Sequence, residues 1–302
     1  MSKPTLVEAT RSGKVLVSDG AWGTFLQSKG LRPGECPELW ALERPEDLKE
    51  IAASYFAAGS DMVQCDSFGG CSLKLAEYGL AERAAEINRA AARLSAEAAA
   101  EAGGDRWVIA SVGPTGKMLL MGDVTEEEIY ETFKQQATAL AEGGADAICV
   151  ETMSDLDEAR LAVRAARENT DCEVIATFTF EKTLQGEFRT MMGVSPSAAA
   201  TAMIEAGAHI IGSNCGNGIE RMVDIVREMR QAAPETPILV HANAGLPQNI
   251  DGKDVFPESP ADMAGQISDL VDAGANIVGG CCGTTPEHIR AIRSVLSQLR
   301  AE

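Results

Sequence analysis

The stretch GGADAICV, residues 143 to 150, joins the end of one pattern to the start of another: an amphipathic run closes on Gly143-Gly144 and an apolar run opens at Ala147. The junction returns as AGSD at 58–61, AGAH at 206–209 and AGAN at 273–276. Each copy puts a glycine where a helix ends, free to take the left-handed conformation that caps it, with a strand close behind. A chain punctuated this way alternates helices with strands. The last three copies are nearly evenly spaced, whereas the first interval is longer, which places an insertion around the alanine-rich helix at 81–102.

Outward from these junctions lie eight candidate strands: Val15 to Ser18, Met62 to Cys65, Trp107 to Val112, Ala147 to Val150, Val174 to Phe178, Ile210 to Ser213, Ile238 to His241 and Ile277 to Gly279. Amphipathic segments run between them. Leu48, Ile51, Ala52 and Tyr55 share one helical face. Thr125 and Glu128 form a capping box ahead of Ile129, Phe133, Ala137 and Leu140. Ser259-Pro260 opens another helix, with proline where no amide hydrogen is needed. Eight strands each followed by a helix predict an α/β fold, the (β/α)8 TIM barrel, as a single domain over residues 1–302; a doubly wound open sheet is the competing arrangement.

Composition narrows the function. The chain is 45% hydrophobic and 24% charged, an ordinary globular balance. It shows no basic, apolar leader and no apolar stretch of about 18 residues, so the expectation is a cytoplasmic protein that neither leaves the cell nor spans a membrane. Its formal charge of −19 repels nucleic acid and anionic lipid, leaving small molecules and proteins as partners. The same acidity leaves oligomeric state, a homodimer included, open. Eight cysteines in such a chain read as reduced thiols rather than as a disulfide framework.

In a barrel, reactive groups belong at the C-terminal ends of the strands. Those ends carry Asp19-Gly20, Asp66-Ser67, Gly113-Pro114, Glu151-Thr152, Cys215-Gly216, Asn243 and Cys281-Cys282. Strands 6 and 8 stand one strand apart, so Cys215, Cys281 and Cys282 can share an ion; three thiolates suit zinc and leave its fourth tetrahedral position open. A buried cysteine is also often only a small hydrophobe, the reading given to Cys65, Cys149 and Cys172, and a strained vicinal disulfide at Cys281-Cys282 is a further alternative. Cys36 and Cys71 have no visible partner, and no Cys-x-x-Cys pair is present.

The segments SDGAWGTFLQ (18–27), DSFGG (66–70), LKLAEYGL (73–80), GPTGKML (113–119), SNCG (213–216), NAGLP (243–247) and GGCCGTTPEHI (279–289) together resemble the zinc-dependent homocysteine S-methyltransferase family, in particular the homocysteine module of cobalamin-dependent methionine synthases. The likeness runs from about residue 15 to the last helix. It implies a (β/α)8 barrel that holds Zn2+ by Cys215, Cys281 and Cys282 and methylates the thiol of homocysteine to give methionine. It also implies that Asp19, the backbone at Gly20 and Ala21, and Glu151 hold the amino acid ends of the substrate, and that Asn243 fills the fourth zinc position beforehand. Asp66 and Ser67 are further substrate-side positions. The chemistry agrees: a free thiol of pKa about 8.5 is mostly protonated at neutral pH, and coordination removes that proton.

The chain departs from the family's pattern where Cys65-Asp66-Ser67-Phe68 replaces Thr-Asn-Thr-Phe and where Trp22 stands for a common methionine. A carboxylate thus replaces an amide near the expected substrate, which leaves another thiol acceptor open. Asp-x-His-x-x-Gly, the corrinoid-binding signature, is absent; Gly207-x-His209-x-x-Gly212 lacks the aspartate, and His209 reads as core or bottom-rim. A separate corrinoid protein, or methylcobalamin itself, is therefore the expected donor, with a sulfonium or betaine on Trp22, Trp40 and Phe68 as the alternative. The non-methyltransferase rivals are a zinc-free aldolase-like barrel, using Lys182 or a phosphate at the strand 8 loop, and a zinc- or thiol-binding protein. GPTGK at 113–117 has too few residues between its glycines for a phosphate loop, and Met118 follows its lysine.

Overall fold

In the computed structural model, which describes residues 3–250 and 253–299, all four junction glycines take positive φ: Gly59 at 105°, Gly144 at 101°, Gly207 at 99° and Gly274 at 113°. The residue two places on completes the device. Asp61, Asp146, His209 and Asn276 each donate a backbone N–H to the carbonyl of a residue on the neighbouring strand, respectively Val17, Val108, Val174 and Ile238. Their side chains accept the N–H of that same residue, at 2.8, 2.8, 2.8 and 2.9 Å. Each junction thus ends a helix and fixes where two strands pair. His209 belongs to this bottom-rim set, as its position in the sequence suggested.

The strands so aligned are β1 (Leu16–Val17), β2 (Met62–Val63), β3 (Trp107–Val112), β4 (Ala147–Met153), β5 (Glu173–Phe178), β6 (Ile210–Asn214), β7 (Ile238–Ala242) and β8 (Ile277–Gly280). They pair in the order β1-β8-β7-β6-β5-β4-β3-β2, every pairing parallel. The short β1 and β2 meet through Asp61, which also takes an ion pair from Lys14 at 3.0 Å and another from Arg293. A helix follows each strand: α1 (Pro45–Ala58), α2 (Ala84–Ala102), α3 (Glu126–Glu142), α4 (Leu156–Asn169), α5 (Pro196–Ala206), α6 (Ile219–Ala232), α7 (Ile267–Asp272) and α8 (Pro286–Gln298). This is the (β/α)8 barrel, nearly closed.

Leu48, Ile51, Ala52 and Tyr55 are the buried face of α1. Thr125 and Glu128 cap α3 reciprocally, and Ser259 caps the helix Pro260–Ala264. Inside the barrel, Leu16, Met62, Ile109, Cys149, Ile175, Leu239 and Ile277 pack together, and Leu6 of an N-terminal helix joins them. Val7 of that helix donates its N–H to Glu173 on β5 at 3.0 Å, pinning it to the barrel. Cys149 is thus a small apolar filler of the interior.

Three features differ from the sequence expectation. The strand after Ala147 continues to Met153 through a register shift between Val150 and Met153, so Glu151 and Thr152 lie within its irregular end. A one-turn 3-10 segment, Ala81–Arg83, precedes α2. Two hairpins ornament the C-terminal rim, Glu181–Lys182 with Phe188–Arg189 after β5 and Gln248–Ile250 with Lys253–Val255 after β7. Among the described residues no helix is long and apolar enough to cross a membrane.

Candidate active site

The end of β7 sets the spacing of the cysteines. His241 O accepts the N–H of Cys215 at 3.0 Å, Ala242 O accepts that of Cys281 at 2.7 Å, and Ala244 N donates to Cys282 O at 3.0 Å. The loops after β6 and β8 are therefore stitched to the strand between them, and their side chains meet above it. Cys215 takes φ 59°, a costly conformation for a residue with a Cβ. Beyond the pair, Gly283 has φ 80° and passes too close to Phe256 for any side chain. Thr284 ties the loop down, accepting from Ala21 N at 3.0 Å and donating to Cys281 O at 2.7 Å.

The three Sγ atoms lie within 4.8 Å of one another, with Cys215 to Cys282 and Cys281 to Cys282 both 4.0 Å apart. The vicinal pair is not a disulfide, since every cysteine is free. Sulfurs about 2.3 Å from one ion at tetrahedral angles stand about 3.8 Å apart, so the cluster is sized for such an ion. Its electrostatics point the same way. Hydrogen bonds from Cys281 and Cys282 hold Cys215 low, at about 3, while the bond to Cys215 pushes Cys281 up and Cys282 up to about 12. Unaided, the thiols oppose one another's ionisation; a divalent cation would let all three ionise. Asn243, buried beside them with its amide toward Cys215, leaves Oδ1 without a partner. These donors fit a metal ion.

The sulfurs share a cleft of about 380 Å³ with Gly20, Ala21, Trp22, Asp66, Ser67, Phe68 and Glu151. Glu151 is its best-supported acid. Oε1 accepts from Gln64 Nε2 at 2.9 Å and from Ser111 Oγ, and Oε2 faces Asn214 Nδ2 at 3.4 Å. Burial pushes Glu151 up to about 7 despite these bonds. An arriving cation would restore its charge.

Asp19 stands apart from the lining. It is fully buried, receiving Trp22 Nε1 at 2.8 Å, Gln64 N at 2.7 Å and Ser18 Oγ at 3.2 Å. Burial pushes it up to about 6. The Ala21 N–H is spent on Thr284, and Ser67 Oγ donates to Ser111 O at 2.6 Å. Of the rival features, Lys182 lies on an exposed hairpin with Nζ 5.6 Å from the Phe188 ring centroid. In the GPTGK loop, Thr115 gives its N–H and hydroxyl to Glu158 at 2.7 and 2.6 Å, leaving the loop facing a carboxylate rather than a phosphate.

Sequence reading missed the residues that organise the site. Gln64 and Ser111 are polar breaks within apolar strand runs, a signal that was present. Asn214 carries more: its Oδ1 accepts from Thr152 N at 2.8 Å and Thr177 Oγ1 at 2.7 Å, and its Nδ2 donates to Thr152 Oγ1 at 2.7 Å. It thereby holds Thr152 at φ 60° next to Glu151. Glu38 reaches the cleft from a loop far away in sequence.

Comparison with known proteins agrees with this geometry. The chain is 32% identical to the methionine synthase of Mycobacterium tuberculosis over 305 residues, covering 96% of this chain and 25% of that protein, and matches the Mycobacterium leprae methionine synthase at 32% with the same coverage. It thus spans about a quarter of the length of these curated relatives. Among solved structures, the metallated homocysteine methyltransferase MmuM from Escherichia coli superposes with a TM-score of 0.78 at 22% identity, over 95% of this chain and 98% of its own. A methyltransferase from Methanosarcina mazei shares the fold at TM-score 0.62 and 12% identity, over 99% and 98%. With the homocysteine S-methyltransferase profile matching residues 16–296, the chain belongs to the homocysteine S-methyltransferase family.

Proposed function

We propose that this S-methyltransferase transfers an activated methyl group to the thiol of homocysteine, forming methionine, at a zinc ion held by Cys215, Cys281 and Cys282. The observation that carries the reading is three sulfurs at tetrahedral spacing in a cleft that also presents the buried carboxyl group of Glu151. Zinc bound there supplies a deprotonated acceptor sulfur at neutral pH. Asn243, whose Oδ1 has no partner among the described residues, would be a further residue to hold the ion before the substrate arrives. Glu151 takes the substrate ammonium, and Gln64, Ser111 and Asn214 fix its orientation, so that the thiol meets the donor in line. Asp19 acts from behind, holding Trp22 and Gln64 in place. Gly20, Ala21 and Ser67 shape the wall. The barrel works as one module, and its reduced thiols suit a cytoplasmic setting.

The donor in this reading is methylcobalamin carried by a separate corrinoid protein. Its support is the rim: Leu120, Met121, Leu184 and Met191, between 69% and 103% exposed, lie on loops after β3 and β5, around the mouth of the barrel. Exposed apolar side chains on these loops suit a docking face. A sulfonium or betaine donor is the second reading, favoured by Trp22 and Phe68 in the same acidic cleft. Trp40 lies in a different depression, under Arg44 at 3.8 Å. The test is methyl transfer to L-homocysteine from methylcobalamin, methyltetrahydrofolate, S-methylmethionine and betaine, each with the zinc-loaded chain. Methionine formed from methylcobalamin supports the first reading and from S-methylmethionine or betaine the second; methylation of other thiols in preference to homocysteine overturns the acceptor.

A further inference from the structure

Two carboxyl groups on the cleft wall are set against each other. Glu38, on the turn Pro37–Leu39, and Asp66, after β2, are each 5% exposed, and both line the cleft. Their surroundings are unequal. Glu38 is well supplied with donors, Oε1 accepting Gly69 N at 2.7 Å and Oε2 accepting the Cys36 thiol at 3.3 Å. Asp66 has nothing: no described residue offers its buried Oδ2 a hydrogen bond. Burial disfavours the charged form of a carboxyl group that no donor meets. Asp66 keeps the proton.

The rest of the cleft says what that proton is for. Its lining contains no lysine, arginine or histidine, and the obvious donors are committed, Gln64 and Asn214 to Glu151 and the Ala21 amide to Thr284. An amino acid bound with its ammonium at Glu151 brings a carboxylate with no cation to meet it. Building on the acceptor reading above, we propose that Asp66 is a specificity residue that recognises the substrate's α-carboxylate: as a neutral acid on the cleft wall, it donates its carboxyl proton to that group. The departure Cys65-Asp66-Ser67 then adds a donor rather than a second negative charge. Burial, and after it the charge of Glu38, drive Asp66 well above the usual carboxylate range. The neighbouring Cys65 thiol, pushed up to about 12 by burial, stays protonated and adds no charge of its own.

The test compares L-homocysteine with 3-aminopropanethiol, which lacks the carboxylate, by calorimetric binding to zinc-loaded wild type, Asp66→Asn, Asp66→Ala and Glu38→Gln, each checked for zinc content and circular dichroism. A hydrogen bond to a charged group is worth about 10- to 100-fold in affinity. Asp66→Ala is expected to lose that factor for L-homocysteine and to leave 3-aminopropanethiol unchanged. Asp66→Asn, which keeps a donor, stays within about threefold of wild type, and the alkaline fall in its L-homocysteine affinity shrinks to that seen with 3-aminopropanethiol, which loses its ammonium proton in the same way. Glu38→Gln removes the charge that keeps Asp66 protonated, so the alkaline fall moves to lower pH. Asp66→Asn binding as weakly as Asp66→Ala, or both thiols weakening alike, overturns the proposal in favour of an anionic ammonium site. A wild type that binds neither thiol overturns the acceptor reading itself, and the role of Asp66 with it.

Discussion

Among the described residues, Cys215 and Thr152 are the two with side chains that take positive φ, at 59° and 60°, and both flank the same asparagine network. Strain of this kind persists where surrounding bonds over-determine it; Asn214 provides them for Thr152, and the bond to His241 O holds Cys215. Asn214→Ala leaves Thr152 N–H and the Thr177 hydroxyl without their acceptor; the expected cost is about 2–3 kcal/mol in urea denaturation. The acceptor KM should rise while zinc content holds, since the sulfurs are registered by β7. Glu151 gives a pH signature. Its pKa is about 7 in the fold against an ordinary 4.5, so the folded state binds the proton more tightly. The contribution of this group to the stability of the metal-free chain is full below pH 4.5 and is lost as pH rises through about 7. Glu151→Gln should remove about 3 kcal/mol of that fall, read as the wild-type minus variant difference in denaturation free energy; an identical pH slope in both proteins would refute it. The sulfurs were legible in the sequence because thiols at strand ends are rare and chemically distinctive. Gln64, Ser111 and Glu38 were not, because which neighbour a polar side chain meets is decided by barrel closure.

At the level of elements, the junction glycines were readable as helix stops, and the strands they precede fell where expected. Hidden from sequence was the work of the fourth residue in each copy. Aspartate, histidine and asparagine differ in charge and size, yet each offers an acceptor at one position to the same backbone N–H across the strand pair. Gly144→Ala forces a side chain into φ 101°, with its Cβ 3.2 Å from that of Ala96, and should destabilise by about 1–3 kcal/mol. Asn276→Ala leaves Ile238 N–H without its acceptor and removes one of the bonds of Arg230, that to Asn276 Oδ1 at 2.8 Å. A similar loss is expected. Equilibrium urea unfolding checks both, and unchanged midpoints would show that these junctions are only passive turns. β1 and β2 stop short of the expected limits, whereas β4 and β6 run past them, because Asn214 continues the backbone ladder despite its polarity and Met153 rejoins it beyond the irregularity at Glu151 and Thr152; the rim hairpins were too short to carry a periodic signal.

Across the whole molecule, a barrel held at its bottom by repeated junctions presents its chemistry and its exposed apolar side chains on the opposite rim. The docking proposal makes these separable. Leu120, 79% exposed, is far enough from the sulfurs in sequence and setting that Leu120→Asp should slow methyl transfer from a protein-bound corrinoid by about tenfold and leave transfer from free methylcobalamin unchanged. Equal effects on both donors would remove these side chains from the mechanism. The central claim concerns the ion and its vacancy, and X-ray absorption at the zinc edge addresses it most directly. The purified chain should hold one zinc with three sulfur neighbours and one lighter ligand, and L-homocysteine should replace that ligand with a fourth sulfur. Absence of stoichiometric zinc, or a sulfur number unmoved by L-homocysteine, would contradict the proposed chemistry.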